Sequence, residues 1–473
     1  MHRPGNRIVP GLRPAARPHH ASGPAAPPPV PPGWHTAFAE RLRGPLDPAA
    51  LHAAFVAVAT RQDVLRYRFS DGVVEPPGPV PLTVADLPAG ALDAHLADLA
   101  GTPFDPAGRL WRAALYRLAP DEHVLAFAGH RAVFDDRTQA LLYAELAGAW
   151  RNGARAPLGT TFAGYVGWRA SRVGRSDLRW WSAHLEGTAP RLALPSDDTG
   201  AAAGHASLTL DPGISAGIGG LARGFGATPA AVLLAALGVV LARLSGQRDF
   251  AVGTPMVGPR SPAFEPLLGA LAEIAPLRLR PDPELPFGGL VLQVRDELLE
   301  ALAHPAVGPA AATQVLFETV DAEPPALDLP GLAAVPVPVP IPTPVELTLR
   351  CLPHGDRLRL AAGYAPGRYL PERIAALLST LGHVLAQAVA SPGTRVADFA
   401  LRPDDQPAPD RDQTVVDRVG RRTAVGELGE IVVRWAGGWL DTGRAGRYRP
   451  DGTVESAETQ DSASVRALET GRT

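Results

Sequence analysis

AFAGHRAVFDDRT, residues 126–138, is the stretch on which the reading of this chain turns. Its apolar first half continues upstream to His123, the pattern of a buried strand. His130, Arg131, Asp135, Asp136 and the hydroxyl of Thr138 follow within nine residues. Thr138 also opens a helical spacing that runs to about Trp150. A cluster of titratable groups therefore sits at a strand-to-loop transition.

Upstream, Leu110 to Leu118 alternates like a strand, and Pro120–Asp121 turns it into the strand from His123 to Gly129. Further upstream, Asp47 suits a helix N-cap and Pro48 the first helical position, with Leu51, Ala54, Phe55 and Val58 at helical spacing. VLRYRFSDGVVE reads as two short strands around Asp71–Gly72. A second α/β series starts near residue 205. Thr228 and Pro229 open a strongly apolar helix that ends at Gly246. DFAVGTPM is a strand, VLQVRDELLEALAH an amphipathic helix, VELTLRC a strand, and Pro371 to Val389 a helix. Val335 to Pro344 alternates Val or Ile with Pro. Proline lacks an amide hydrogen, so this segment cannot pair as an internal strand and reads as an extended connector.

The chain has 473 residues and a formal net charge of -3, so no global field favours nucleic acid or a membrane. It contains no lysine, and all 45 Lys-plus-Arg positions are arginine. Cys351 is the sole cysteine, which rules out an intramolecular disulfide and a thiolate metal cluster within one chain. No metal and no cofactor is expected, and a cytoplasmic location is. The longest apolar helix candidate, Pro229 to Ala242, is too short to span a bilayer. The opening MHRPGNRIVPGLRP lacks the apolar core of a secretory signal.

The central stretch resembles the HHxxxDG signature of condensation domains of nonribosomal peptide synthetases. His130 matches the first histidine, Arg131 replaces the second, Asp135 matches the aspartate, Asp136 replaces the glycine and Thr138 keeps a nearby hydroxyl. Arg61 to Phe69 is similar to the family's RHExLRTxF element, FAGYVGWRA (162–170) to YxDFAxW, and RWWSAHLEGTAPRLALPSD to YWxxxLxG…LPTD. VGTPMVGPR followed by LLGALAEIAPLRLR resembles GxFVNTLxLR, with Glu273 on the usual asparagine and Arg278 on the arginine. HPAVGPAAA (304–312) falls on HQDxPFExL and keeps His304 and Val307 in register.

The resemblance implies a mixed α/β (α+β) fold of two chloramphenicol-acetyltransferase-like lobes in a V-shaped pseudo-dimer. The expected organisation is a disordered arm at 1–33, lobes at 34–200 and 201–402, a linker at 403–414, a small β-rich piece at 415–456 and a disordered tail at 457–473. By the same resemblance Asp135 is structural and pairs with Arg278. Imidazole can move a proton near neutrality, whereas guanidinium stays protonated, so Arg131 cannot serve as a general base. It can still donate hydrogen bonds to an oxyanion. A plainer role for Arg131 is a buried cation satisfied by Asp135 or Asp136, with His130 a packed core histidine.

The HRxxxDD pattern is similar to the X domain of glycopeptide-antibiotic synthetases, a non-catalytic relative. The implied partners are a peptidyl carrier protein with its phosphopantetheine-bound peptide and a cytochrome P-450 monooxygenase, with no nucleic acid and no membrane. No catalytic residue is expected on that reading. An atypical condensation or acyl-transfer enzyme is the alternative. Residues 415–456 resemble a late part of an adenylation domain, with Thr442–Gly443–Arg444 where that family carries TGD. An arginine in place of the ribose-binding aspartate, and a chain without lysine, predict no ATP binding.

Overall fold

A computed structural model describes residues 35–401 and 413–456, apart from 69–71, 89, 106, 136, 173, 198–203, 258–260, 306–312, 321–324, 341–342, 344, 418–420, 436–437 and 451. The N-terminal arm, most of the 403–414 linker, the C-terminal tail, Asp136 and Val307 lie outside the described residues.

The chain opens with β1 (His35–Arg43), α1 (Pro48–Arg61) and a short 3-10 turn, Asp63–Arg66. The Asp47 carboxylate caps α1 by accepting the Ala49 amide at 2.8 Å, with Pro48 in the first turn as its sequence requires. Next come β2 (Leu82–Asp86), α2 (Leu92–Gly101), β3 (Trp111–Ala119), β4 (Glu122–His130), α3 (Thr138–Asn152), α4 (Phe162–Arg172) and α5 (Arg175–His184). The second series runs β5 (Gly204–Thr209), α6 (Pro212–Gly224), α7 (Pro229–Ser245), β6 (Phe250–Val257), β7 (Ala272–Leu279) and α8 (Phe287–Ala303). It continues through β8 (Val315–Thr319), β9 (Ala333–Val337), β10 (Leu347–His354), β11 (Arg357–Tyr364) and α9 (Pro371–Ala390). The last unit is β12 (Gln413–Val416), β13 (Gly429–Trp435), β14 (Gly438–Tyr448) and β15 (Val454–Ser456).

Two sheets form the lobes: β2-β3-β4-β1-β9 and β5-β11-β10-β8-β6-β7. On the first, Phe38, Leu42, Leu115, Leu125 and Phe127 face α1 and α3, while Ala37, Ala39, Ala114, Ala126 and Ala128 form a floor of small side chains under α2. The period-two alternation of each strand separates these two cores. On the second sheet the core gathers around α7, which is buried on every side, as an all-apolar helix must be. Thr228 caps α7 through its hydroxyl, and Gly246 ends it in the left-handed region at φ 74°. The 20-residue α9 is long and apolar enough to match a membrane span by length and composition. It is also longer than the helix read from sequence as the longest apolar one. Its Ile374, Leu377, Leu378, Leu381, Val384 and Leu385 are buried in the second core.

Two expectations change. The Val–Pro segment is not only a connector: its start is β9, which pairs antiparallel with β1 from Ala39↔Val337 to Arg43↔Ala333. β9 is the outer strand of the first sheet, where a proline's missing donor costs no ladder bond. The second half of the chain thus lends a strand to the first lobe, so the division at residue 200 is not clean. Of the expected hairpin at 64–75, Asp63–Arg66 is instead a 3-10 turn, while the antiparallel pair Tyr67↔Val74 is kept, with the Arg68 amide donating to the Val73 carbonyl at 2.9 Å and the Glu75 amide to the Arg66 carbonyl at 2.8 Å; Asp71 of its turn lies outside the described residues. Trp111 and other core residues claim this segment's side chains, and the Trp111 indole donates to the Leu65 carbonyl at 2.8 Å.

One core position breaks the apolar pattern. Glu40 lies between Phe38 and Leu42 on the α1–α3 side, is 0% exposed, and neither carboxylate oxygen has a hydrogen-bond partner among the described residues. Burial pushes its pKa from 4.5 up to about 7, against a smaller downward pull from the Tyr143 phenol. The folded state therefore holds the proton that the unfolded chain releases, and stability falls as pH rises from about 4.5 to about 7. Glu40→Gln removes that dependence. The wild type is expected to lose roughly 3 kcal/mol more than the variant across this interval, read by urea unfolding at each pH.

Candidate functional site

The signature loop begins where β4 leaves the sheet. The His130 amide donates to the Leu110 carbonyl at 2.8 Å, and its own carbonyl accepts from the Val133 and Phe134 amides at 3.0 and 3.1 Å. Gly129 lets the Phe134 ring fold back over the strand, since a Cβ there would lie 2.5 Å from that ring. His130 Nδ1 accepts the Ala132 amide at 3.1 Å, so a neutral ring carries its proton on Nε2. Burial, and then the nearby His35, push the His130 pKa down to about 4. His130 is the packed core histidine expected of it.

Arg131 reaches out of the first lobe altogether. Its Nη1 donates to Glu318 Oε1 on β8 at 3.0 Å, with the two side chains 11% and 3% exposed. The other Glu318 oxygen, Oε2, lies 2.8 Å from Arg350 Nε on the neighbouring β10. The second lobe thus supplies Arg131 with a carboxylate, while Asp136 lies outside the described residues.

Asp135 is structural, but not in the expected pairing. Its Oδ1 accepts the Arg137 amide at 3.0 Å and its Oδ2 the Leu271 amide at 2.9 Å, while its own amide donates to the buried Thr138 hydroxyl at 3.1 Å. Asp135 does tie the signature loop to the second lobe, through backbone rather than guanidinium. Arg278 is bound elsewhere: Nε and Nη2 each donate to Asp249 at 2.6 Å, and Nη1 to the His184 carbonyl at 2.6 Å. The seven residue steps from Leu271, just before β7, to Arg278 span roughly 23 Å, so the two side chains cannot meet. Glu273, on the same strand, pairs with Arg169 of α4.

Arg131 and Glu318 share a cavity of about 280 Å³ between the lobes with His35 and Arg350. His35 opens β1 directly across from His130, and its ring lies 5.7 Å from that of His130. Its Nδ1 donates to the Ala100 carbonyl at 2.6 Å in the neutral form, and burial lowers its pKa. Sequence reading passed over His35, Glu318 and Arg350. The signal for Glu318 was present: a lone acid inside VLFET, sharing a strand face with Leu316. His304 lies apart from this cavity, stacked on Trp180 at 4.2 Å and beside Asp177. Among the described residues, no group of three or more His, Cys, Asp or Glu side chains could hold a metal ion. In the C-terminal unit, Gly443 turns at φ 63°, Thr442 donates to the Ile431 carbonyl at 2.6 Å, and Arg444 bonds the Ser456 hydroxyl.

These assignments separate in double-mutant cycles. Asp135→Ala and Arg278→Ala are expected to be additive in unfolding free energy within about 0.5 kcal/mol, whereas Asp249→Ala and Arg278→Ala are expected to couple by about 1 kcal/mol or more.

Known proteins match this chain over most of its length. A condensation-domain family model matches residues 29–311. A probable non-canonical nonribosomal peptide synthetase, CymA of Salinispora arenicola, is 30% identical over 487 aligned residues, covering 89% of this chain and 6% of that protein. The chain spans less than a third of the length of the curated relatives it matches. Among solved structures, the X-domain from teicoplanin biosynthesis superposes with a TM-score of 0.70 at 28% identity, covering 78% of this chain and 93% of that one. The X-domain chain solved in complex with OxyB from the same biosynthesis gives 0.70 at 27% identity, covering 83% and 100%. With its two acetyltransferase-like lobes and its signature loop at the end of β4, this chain belongs to the condensation-domain family.

Proposed function

We propose that this chain is a non-catalytic condensation-like module that holds a carrier-bound peptide and recruits a cytochrome P-450 monooxygenase to it. The observation that carries this reading is the fixed guanidinium of Arg131. It stands where condensation needs an imidazole, and the 3.0 Å bond to Glu318 holds it there. A permanently protonated group cannot accept the proton of an attacking amine, and it repels an ammonium. The likeness to the teicoplanin X-domain, and to its complex with OxyB, supports the same role. The C-terminal sheet we read as an adenylation-like remnant. It docks on the second lobe, where Arg243 of α7 bonds Glu427 and lies 3.6 Å from Asp417.

A second reading, an atypical acyl-transfer enzyme, draws on one specific observation. His35 is a neutral imidazole oriented by the Ala100 carbonyl in the cavity that holds Arg131, and its Nε2 has no hydrogen-bond partner among the described residues. That is the state of a group able to accept a proton.

Two assays on the purified chain separate the readings. Binding of a pathway P-450 and of a peptide-loaded carrier protein is expected, with no condensation product from two loaded carriers. Failure to bind either protein sinks the recruitment reading. Product formation that Arg131→Ala or His35→Ala abolishes installs the enzyme in its place.

A further inference from the structure

The second sheet has two unlike faces. Leu208, Leu360, Ala362, Leu349, Cys351 and Phe317 point into the helix-covered core. The alternate residues align in polar rows across four strands. Ser207 on β5 stands opposite Ala361 on β11, Ala361 opposite Arg350 on β10, and Arg350 opposite Glu318 on β8. In the adjoining row, His205 stands opposite Gly363, Gly363 opposite Thr348, and Thr348 opposite Leu316. All of these residues line the cavity that Arg131 enters from the first lobe.

The small centres of both rows, Ala361 and Gly363, leave the room, and the ends of the rows supply the polar groups. The described charged residues around the space are Arg131, Arg350, Arg359 and Glu318. Glu318 is shared by Arg131 and Arg350, at 3.0 and 2.8 Å. Arg359 pairs across β10–β11 with Leu352, is exposed, and makes no ion pair among the described residues. Hydroxyl groups add further donors: Thr343 and Thr348 lie 2.7 Å apart on the wall. The Arg359 guanidinium, with no ion pair among the described residues and at the edge of a space partly withdrawn from water, favours a negative guest over a positive one.

We propose that this inter-lobe cavity selects a carrier-delivered acyl or peptidyl group bearing a carboxylate, with Arg359 at the rim as the residue that reads the charge. This rests on the carrier-bound reading given above and names the class of group delivered. A carboxylate accepts from the Arg359 guanidinium while the Arg131–Glu318–Arg350 set stays intact. A carboxamide of the same shape gains no charge-assisted bond there.

The test uses the full chain and two stable probes, the succinyl and succinamyl amides of aminopantetheine, which differ by one charge. Calorimetric titration is expected to show the succinyl probe binding about tenfold more tightly, the factor that ~1.4 kcal/mol represents. Arg359→Gln is expected to erase that preference, and Ala361→Leu, which fills the cavity, to weaken both probes. Equal affinities, tighter binding of the amide, no binding of either probe, or a preference that survives Arg359→Gln each overturns the proposal. Capture of the P-450 by the wild type, measured in parallel, keeps the two ideas apart. Capture without charge selectivity removes this inference alone, and selectivity without capture removes the recruitment reading alone.

Discussion

The Glu318 carboxylate, 3% exposed on the second sheet, faces two guanidiniums, one from each lobe. A buried charge that loses its partners costs several kcal/mol, so the Glu318 carboxylate depends on the guanidiniums that face it. The lobes cannot slide past one another without opening this set. The condition at the centre of the molecule is therefore electrostatic. The arginine that replaces an imidazole in the signature loop brings a fixed charge to the interface, and β8 places an acid opposite it. The Asp135 carboxylate holds the same loop to the Leu271 amide at a second point.

Sheet geometry places that set. His130 and Arg131 are adjacent in sequence, yet their environments diverge because the strand ends between them. His130 remains in the β4 ladder, opposite His35, and is desolvated to a neutral ring. Arg131, one residue later, is released from the ladder and crosses to the other lobe. The second sheet receives it with a face whose rows alternate small and polar groups. β9 reinforces the junction from the other direction, leaving the second half of the chain to pair with β1. Strand exchange and ion pairing thus act on the same interface by different means, one through backbone bonds and one through charge.

The C-terminal sheet follows the same logic on a smaller scale. Val415, Ile431 and Tyr448, with Val454 packed against them, make a small core of their own among the described residues. Arg243 at the end of α7 bonds the buried Glu427, whose second oxygen accepts the Ala424 amide at 2.7 Å. Arg421 adds a bond to the Asp398 carbonyl at 2.9 Å. The sheet is therefore carried by the second lobe rather than merely trailing from it.

What the sequence alone determined was local in its physics. The caps at Asp47 and Thr228, the helix end at Gly246, the strand character of β3 and β4 and the strand-to-loop break at His130 each depend on neighbours a few residues away. They stood where the residues placed them. The substitution at Arg131 and its chemical meaning were also legible, since the charge of a guanidinium does not depend on the fold. Only the tertiary structure decided who answers that charge. Glu318 lies 187 residues away, Arg278 is claimed by Asp249, and the Val–Pro segment finds an open sheet edge. Such choices are settled by which surfaces come together and which groups are already satisfied there, and no local pattern encodes either.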